Sequence, residues 1–132
     1  MNTFATLVAS ALLAGLPVLA DAFTARNYHK VGQISDDVFE VVGRPGSGGQ
    51  EFWCAAGDYA RRMLGAKASQ RVYLVRGPGV AQTRNRNRAV LFSLTPPEGG
   101  DTRTTLFLSV KTIGSNLNVS MASNYCYRDI DR

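Results

Sequence analysis

Histidine and cysteine are both scarce in this sequence of 132 residues, which holds one histidine, His29, and two cysteines. A metal site in a protein usually gathers several His, Cys or carboxylate ligands, and no such group surrounds His29 in the sequence. We therefore predict no metal site and expect His29 to be a surface or loop residue. Because a Ser-His-Asp or Cys-His catalytic set would have to include His29, the same scarcity counts against a hydrolase.

Phosphate-binding loops are also missing. The two glycine-rich stretches, 46–49 and 77–79, lack the spacing of a P-loop or of a dinucleotide-binding loop. The first stretch precedes a predicted helix N-terminus, where an anion could bind weakly, but turn formation is the better account of both. We predict no cofactor.

Acidic residues are absent between Tyr59 and Pro97, although basic residues are frequent there, and the formal net charge of the chain is +5. Such a one-sided charge favours contact with anionic partners. Arginine alternates with asparagine from Arg84 to Arg88, so an extended conformation would place three guanidinium groups on one face. A solvated loop is the alternative. The predicted anion-binding residues are Arg84, Arg86, Arg88, Arg71 and Arg76.

The first 22 residues have the pattern of a cleavable signal peptide. An apolar run from Phe4 to Leu19 is followed by Ala20-Asp21-Ala22, which matches the small-residue pattern of a signal peptidase site. We predict cleavage after Ala22 and a periplasmic or secreted mature chain with no transmembrane segment, although no Lys or Arg precedes the run. The alternative, a membrane anchor, needs about 20 apolar residues and usually has flanking basic residues.

The two cysteines, Cys54 and Cys126, both lie in the predicted mature chain. In an oxidising compartment an even number of cysteines suggests a disulfide, here a single bridge. The alternative is two separate buried thiols. If the bridge forms, we expect the C-terminal segment to cross the flank of the helix that carries Cys54, since this residue lies at the edge of its polar side.

Residues 23–132 are predicted to form a single α+β domain, with one helix packed on a mostly antiparallel sheet of about four to five strands and one disulfide. The strands follow from β-branched and alternating apolar residues. They are predicted at 37–42, 71–76, 89–94, 106–111 and 117–121. In the last of these, alternation places Met121 inside.

The helix is predicted over 48–64, with Gly65 as its stop. Ser47 and Gln50 match the capping box that satisfies free backbone N–H groups at a helix start. An apolar arc places Met63 and Leu64 against the sheet and leaves Asp58, with two arginines of the last turns, facing away.

The segment from Trp53 to Tyr59 is the most distinctive string in the chain. Small and aromatic residues at helical spacing favour packing, with Gly57 allowing a close approach to the sheet, over a site that presents Asp58 or Tyr59. The string from Trp53 to Arg62 and the run from Arg71 to Gly79 resemble small exported proteins of alphaproteobacteria. The resemblance implies a periplasmic setting and implies no particular activity or site residue.

These features favour a basic, exported binding module over an enzyme. Its partner would be an anionic envelope component, such as a lipid headgroup or lipopolysaccharide, or an acidic protein, and export makes nucleic acid an unexpected ligand. A small hydrolase is one alternative, and it requires a pocket that joins His29 to a nucleophile such as a serine or tyrosine. An accessory or inhibitor subunit of an envelope complex is the other.

Overall fold

The computed structural model of the chain describes residues 23–84, 88–104 and 108–127. These residues form a six-stranded antiparallel sheet and one long helix. The strands are β1 (Phe23–Thr24), β2 (Lys30–Gln33), β3 (Val38–Val42), β4 (Arg71–Gly79), β5 (Ala89–Ser93) and β6 (Asn116–Asn118), and the helices are α1 (Gly49–Arg62) and α2 (Val119–Asn124). Their order in the sheet is β1-β2-β3-β5-β4-β6, and all neighbours are antiparallel. The α+β architecture is thus confirmed. The predicted signal peptide lies outside the described residues.

The core lies between one face of the sheet and α1. Alternate residues of β3, β4 and β5 face the helix, and apolar side chains in these positions are fully buried. The rings of Trp53 in α1 and Phe92 in β5 pack edge to face with centroids 4.9 Å apart. The indole N–H of Trp53 donates to the carbonyl of Ser109 at 3.0 Å, so this large side chain is buried without an unpaired polar atom.

The start of α1 is one residue later than the capping pattern predicted. Gly48 is the N-cap, and the carboxylate of Glu51 accepts its backbone N–H at 2.9 Å. The predicted box of Ser47 and Gln50 is therefore wrong, because the Ser47 hydroxyl is engaged outside the helix. Gly65, with φ of 67°, follows the helix end as predicted.

The apolar arc is shorter than predicted and the polar side of α1 is partly covered. Met63 and Leu64 lie beyond the helix end and are exposed. Asp58 was expected to face away from the protein but is 3% exposed, because the N-terminal segment and α2 cover this side. Its carboxylate accepts two bonds of 2.7 Å from the Arg62 guanidinium and one of 2.9 Å from the Arg26 backbone N–H. A buried charge is stable only with such partners.

The strand predicted at 117–121 is correct only for residues 117 and 118, and the described part of the strand predicted at 106–111 is not a strand. The segment 117–121 divides into the end of β6 and the start of α2, because the Asn118 side chain accepts the Met121 backbone N–H at 2.7 Å and caps the helix. Met121 is consequently half exposed. In the segment 106–111, residues 108–111 form a turn in which the Ser109 hydroxyl accepts two backbone N–H groups. The first two residues of that segment lie outside the described residues.

The disulfide between Cys54 and Cys126 is present and joins α1 to the residues just after α2. The C-terminal segment therefore lies along the flank of α1, as predicted. Gly57 faces α2 and not the sheet: a Cβ at this position would lie 2.7 Å from the Ala122 Cβ and 2.7 Å from the Ser123 backbone nitrogen. The two helices can pack this closely only because Gly57 has no side chain.

Substitution of Gly57 by alanine is expected to lower the free energy of unfolding by about 1–3 kcal/mol, since the added methyl group overpacks the contact between the helices. Urea denaturation measures the change. The double variant Gly57→Ala/Ala122→Gly should recover part of the loss. A stabilised Gly57→Ala variant, which is the ordinary result of this change in a helix interior, would contradict the close contact.

Among the described residues, no helix is long and apolar enough to cross a membrane.

Candidate functional site

A cleft of about 530 Å³ opens at the N-terminal end of α1. One wall is the tip of the hairpin between β1 and β2, and the other is the turn that connects β3 to α1. Its lining residues are Arg26, Asn27, Tyr28, His29, Arg44, Pro45, Gly46, Ser47, Glu51 and Cys126. The volume falls in the range of clefts that accept small organic ligands.

The hairpin tip is a strained turn held against α1. The backbone N–H of Ala25 donates to the carbonyl of His29, and Tyr28 donates to Ala25, at 2.8 and 2.9 Å. Tyr28 has φ of 67°, a conformation that bulky residues adopt at a cost. The Asn27 side-chain amide donates to the Glu51 carbonyl at 2.8 Å and ties the tip to the first turn of the helix.

His29 is buried at the base of the cleft with both ring nitrogens engaged. Its side chain is 3% exposed; Nδ1 lies 3.2 Å from the Asn27 carbonyl oxygen and Nε2 lies 2.7 Å from the Ser47 Oγ. Because a carbonyl only accepts hydrogen bonds, we assign the proton to Nδ1, and the neutral ring then accepts the Ser47 hydroxyl at Nε2. His29 lies in a loop, as one half of the expectation has it, but a surface position is wrong, because the hairpin packs over the Phe52 ring and the start of α1.

Burial is the main reason that the pKa of His29 lies below its usual value. The hydrogen bond to the Asn27 carbonyl opposes this shift, the positive charge of Arg44 adds to it, and the negative charge of Glu51 opposes it. The imidazole is thus neutral at neutral pH and can accept a proton.

Ser47 contributes its hydroxyl to the cleft and not to the helix cap. Its Oγ accepts the Arg44 backbone N–H at 2.9 Å in addition to its bond to His29, and the residue is 8% exposed. A serine hydroxyl that donates to a neutral imidazole, whose other nitrogen is oriented by a third group, is the arrangement that activates a nucleophile. The pair was not found from the sequence, where 18 residues separate its members.

The predicted anion-binding arginines lie on two faces of the sheet. Arg76 pairs in register with Leu91, whose neighbour Phe92 faces the core, so Arg76 faces away from α1. Arg71 lies on that outer face too, because the next residue, Val72, is in the core. Both guanidiniums bind their own chain: Arg71 donates to Asn116, and Arg76 donates to the Val80 carbonyl at 3.1 Å.

Arg88 lies on the helix side of the sheet, near Phe52, and does not line the cleft. Its carbonyl accepts the Gly43 N–H at 2.7 Å, and its guanidinium carbon lies 5.9 Å from the centroid of the Phe52 ring. The residue after Gly43 is Arg44, whose guanidinium carbon lies 5.9 Å from the centroid of the Tyr28 ring. Arg44 and Arg88 are both exposed, and we call them the rim arginines. Arg44 was missed from the sequence, where its position in a turn was the only signal.

The segment that precedes Arg84 is held by an acidic residue from another strand. Glu40 of β3 is fully buried on the outer face, where its carboxylate accepts the backbone N–H groups of Gln82 and Thr83 and the Thr83 hydroxyl at 2.7, 2.9 and 2.7 Å. The sequence between Tyr59 and Pro97 contains no acidic residue, but in the folded chain the carboxylate of Glu40 contacts it. Arg84 itself is exposed, and Arg86 lies outside the described residues.

A second, smaller cleft of about 180 Å³ lies at the other end of the contact between α1 and the C-terminal segment. It contains Asp58, whose carboxylate is already bound by Arg62 and by the Arg26 backbone and so serves the fold. Across the described part of the chain, no group of three or more His, Cys, Asp or Glu side chains could hold a metal ion.

Comparison of the chain with protein-family models, with curated proteins and with solved structures found no significant match.

Proposed function

We propose that this chain is an exported binding module that contacts an anionic component of the cell envelope through the rim arginines. The single observation that carries the proposal is that two exposed arginines, Arg44 in the cleft and Arg88, lie on neighbouring segments of the chain. A backbone hydrogen bond between Gly43 and Arg88 joins their two segments.

The rim arginines are well prepared for an anion. Each guanidinium lies near an aromatic ring, which limits its movement and leaves its N–H groups free to form charge-assisted bonds. The ion pairs among the described residues involve Arg26, Arg62 and Arg103, so neither rim arginine is neutralised in this way. By contrast, Arg71 and Arg76 bind their own chain, and we give them a lesser role.

The compartment determines which anions are relevant. The signal-peptide pattern of residues 1–22 and the disulfide support a periplasmic or secreted protein. There the abundant anions are lipid headgroups, lipopolysaccharide and acidic proteins, whereas nucleic acid is not expected. Binding of this kind is electrostatic and weakens as salt screens the charges.

Replacement of both rim arginines, Arg44→Gln/Arg88→Gln, is expected to weaken binding to phosphatidylglycerol vesicles at low salt by about 30-fold. The reason is that each basic residue near an anionic surface contributes about 1 kcal/mol. Vesicle co-sedimentation of the mature, oxidised protein measures the change, and retention on heparin gives a second reading.

The matched control is Arg61→Gln/Lys67→Gln, which removes the same charge from two exposed positions at the far end of α1. An equal loss in the control would mean that net charge alone acts, and unchanged binding of the rim variant would refute the proposal. The variant Arg84→Gln/Arg86→Gln/Arg88→Gln tests the loop in the same assay. Capture of an acidic protein from the envelope fraction, without vesicle binding, would identify the partner as a protein.

A further inference from the structure

We propose that Ser47 and His29 are the nucleophile and the general base of an acyl-transfer site that hydrolyses small carboxylic esters. The proposal stands on three observations: the bond of 2.7 Å between the Ser47 Oγ and the His29 Nε2, the orientation of the ring by the Asn27 carbonyl, and the cleft that both residues line.

The geometry gives each atom a role. The Nδ1 proton of His29 is held by the Asn27 carbonyl, so the lone pair of Nε2 points at the serine hydroxyl. The Arg44 backbone N–H, 2.9 Å from the Oγ, stabilises negative charge on that oxygen as the proton leaves. Burial keeps the ring neutral, which is the state that a base needs.

The reaction consumes one ester and one water and produces one acid and one alcohol. The Ser47 Oγ attacks the ester carbonyl carbon while its proton moves to the His29 Nε2. The bond from that carbon to the leaving oxygen then breaks, and His29 protonates the departing alcohol. Water attacks the acyl-serine, gives a proton to His29, and releases the acid as the serine oxygen regains its proton.

The surroundings favour a substrate with a negative charge. The Glu51 carboxylate accepts the Gly48 backbone N–H at the start of α1 and offsets the positive helix end, so the positive charge that favours an anionic substrate comes from Arg44. Arg44 lines the same cleft and would bind a carboxylate at the other end of a small ester. This assignment of substrate charge rests on the proposed anion binding, whereas the acyl transfer does not.

The decisive experiment uses a neutral fluorophosphonate on the mature, oxidised protein. Attack by Ser47 forms an Oγ–P bond and expels fluoride, so mass spectrometry should find one adduct and peptide mapping should place it on Ser47. His29→Gln should slow labelling at least about 100-fold, the usual contribution of a general base. The matched control is Ser123→Ala, a serine of the second cleft, which should label at the unaltered rate.

Absence of an adduct on Ser47 in the folded wild-type protein overturns the proposal, and this outcome does not depend on any variant folding. A second arm compares p-nitrophenyl acetate with mono-p-nitrophenyl succinate. Arg44→Gln should raise KM about tenfold for the succinate ester alone. Labelling of Ser47 without this selectivity supports the nucleophile and overturns the substrate charge, so the two failures are distinguishable.

Discussion

Removal of the disulfide, by Cys54→Ala/Cys126→Ala, is expected to lower the free energy of unfolding by about 4 kcal/mol. The bridge joins residues that are 72 apart in sequence, and closing a loop of this length removes a large part of the conformational entropy of the unfolded chain. For a domain of this size the loss is a substantial share of the total stability. Urea denaturation of the oxidised wild type and of the double variant measures it.

Alanine is the informative replacement, because Cys54 and Cys126 are buried and a serine hydroxyl would add the cost of an unpaired polar group. Reduction of the wild type under the same conditions is the control, and it should reproduce the effect without any change of sequence. An unchanged denaturation midpoint would contradict the prediction and would mean that the contact between Gly57 and α2 holds the segment by itself.

The disulfide also bears on the candidate site. Cys126 lines the cleft that contains His29 and Ser47, although it is remote from them in sequence. Loss of the bridge would therefore release a wall of the cleft as well as the C-terminal segment. We expect the labelling of Ser47 to fall together with stability in the alanine variant.

Much of the fold could be predicted because it depends on local patterns. Apolar and β-branched runs correctly predicted β3, β5 and residues 71–76 of β4, and amphipathic spacing predicted the body of α1. The strand β4 continues to Gly79, so the turn predicted at 77–79 is wrong. Local patterns failed at Val119, where alternating apolar residues are equally compatible with a strand and with the short helix that the Asn118 cap selects. A single hydrogen bond, from the Met121 backbone N–H to the Asn118 side chain, decides in favour of the helix.

The buried polar residues could not be predicted, because their partners are far away in sequence. Asp58 binds the backbone 32 residues before it, and Glu40 binds the backbone 42 and 43 residues after it. A helical wheel or a strand alternation shows which side of an element is polar, but not whether another segment covers that side. His29 and Ser47 were misjudged for the same reason.

One irregularity in the pairing of β4 with β5 changes the face of the sheet on which Arg76 lies. Simple alternation along β4 would place Arg76 on the same side as Leu74, which is in the core. The register between β4 and β5 shifts between these two residues, so Arg76 moves to the outer face. Arg88 lies on the helix side, so it does not share a surface with Arg71 and Arg76.

Substitution of Glu40 by alanine is expected to lower the free energy of unfolding by about 2–3 kcal/mol, because hydrogen bonds to a charged group are among the stronger ones. The variant leaves the backbone N–H groups of Gln82 and Thr83 without their acceptor. Residues 80–84 should then separate from the sheet before the protein unfolds. Trypsin should cut after Arg84 at least about tenfold faster, since cleavage follows the population of the open loop.

Glu98→Gln is the matched control, because Glu98 is exposed and its loss changes the net charge without touching the sheet. Thr83→Val removes only the hydroxyl bond to Glu40 and should give a smaller increase in cleavage. If Glu40→Ala left both the stability and the cleavage rate unchanged, the loop would be held by other contacts. With the expected result, a single buried carboxylate of β3 holds the segment that positions the exposed Arg84.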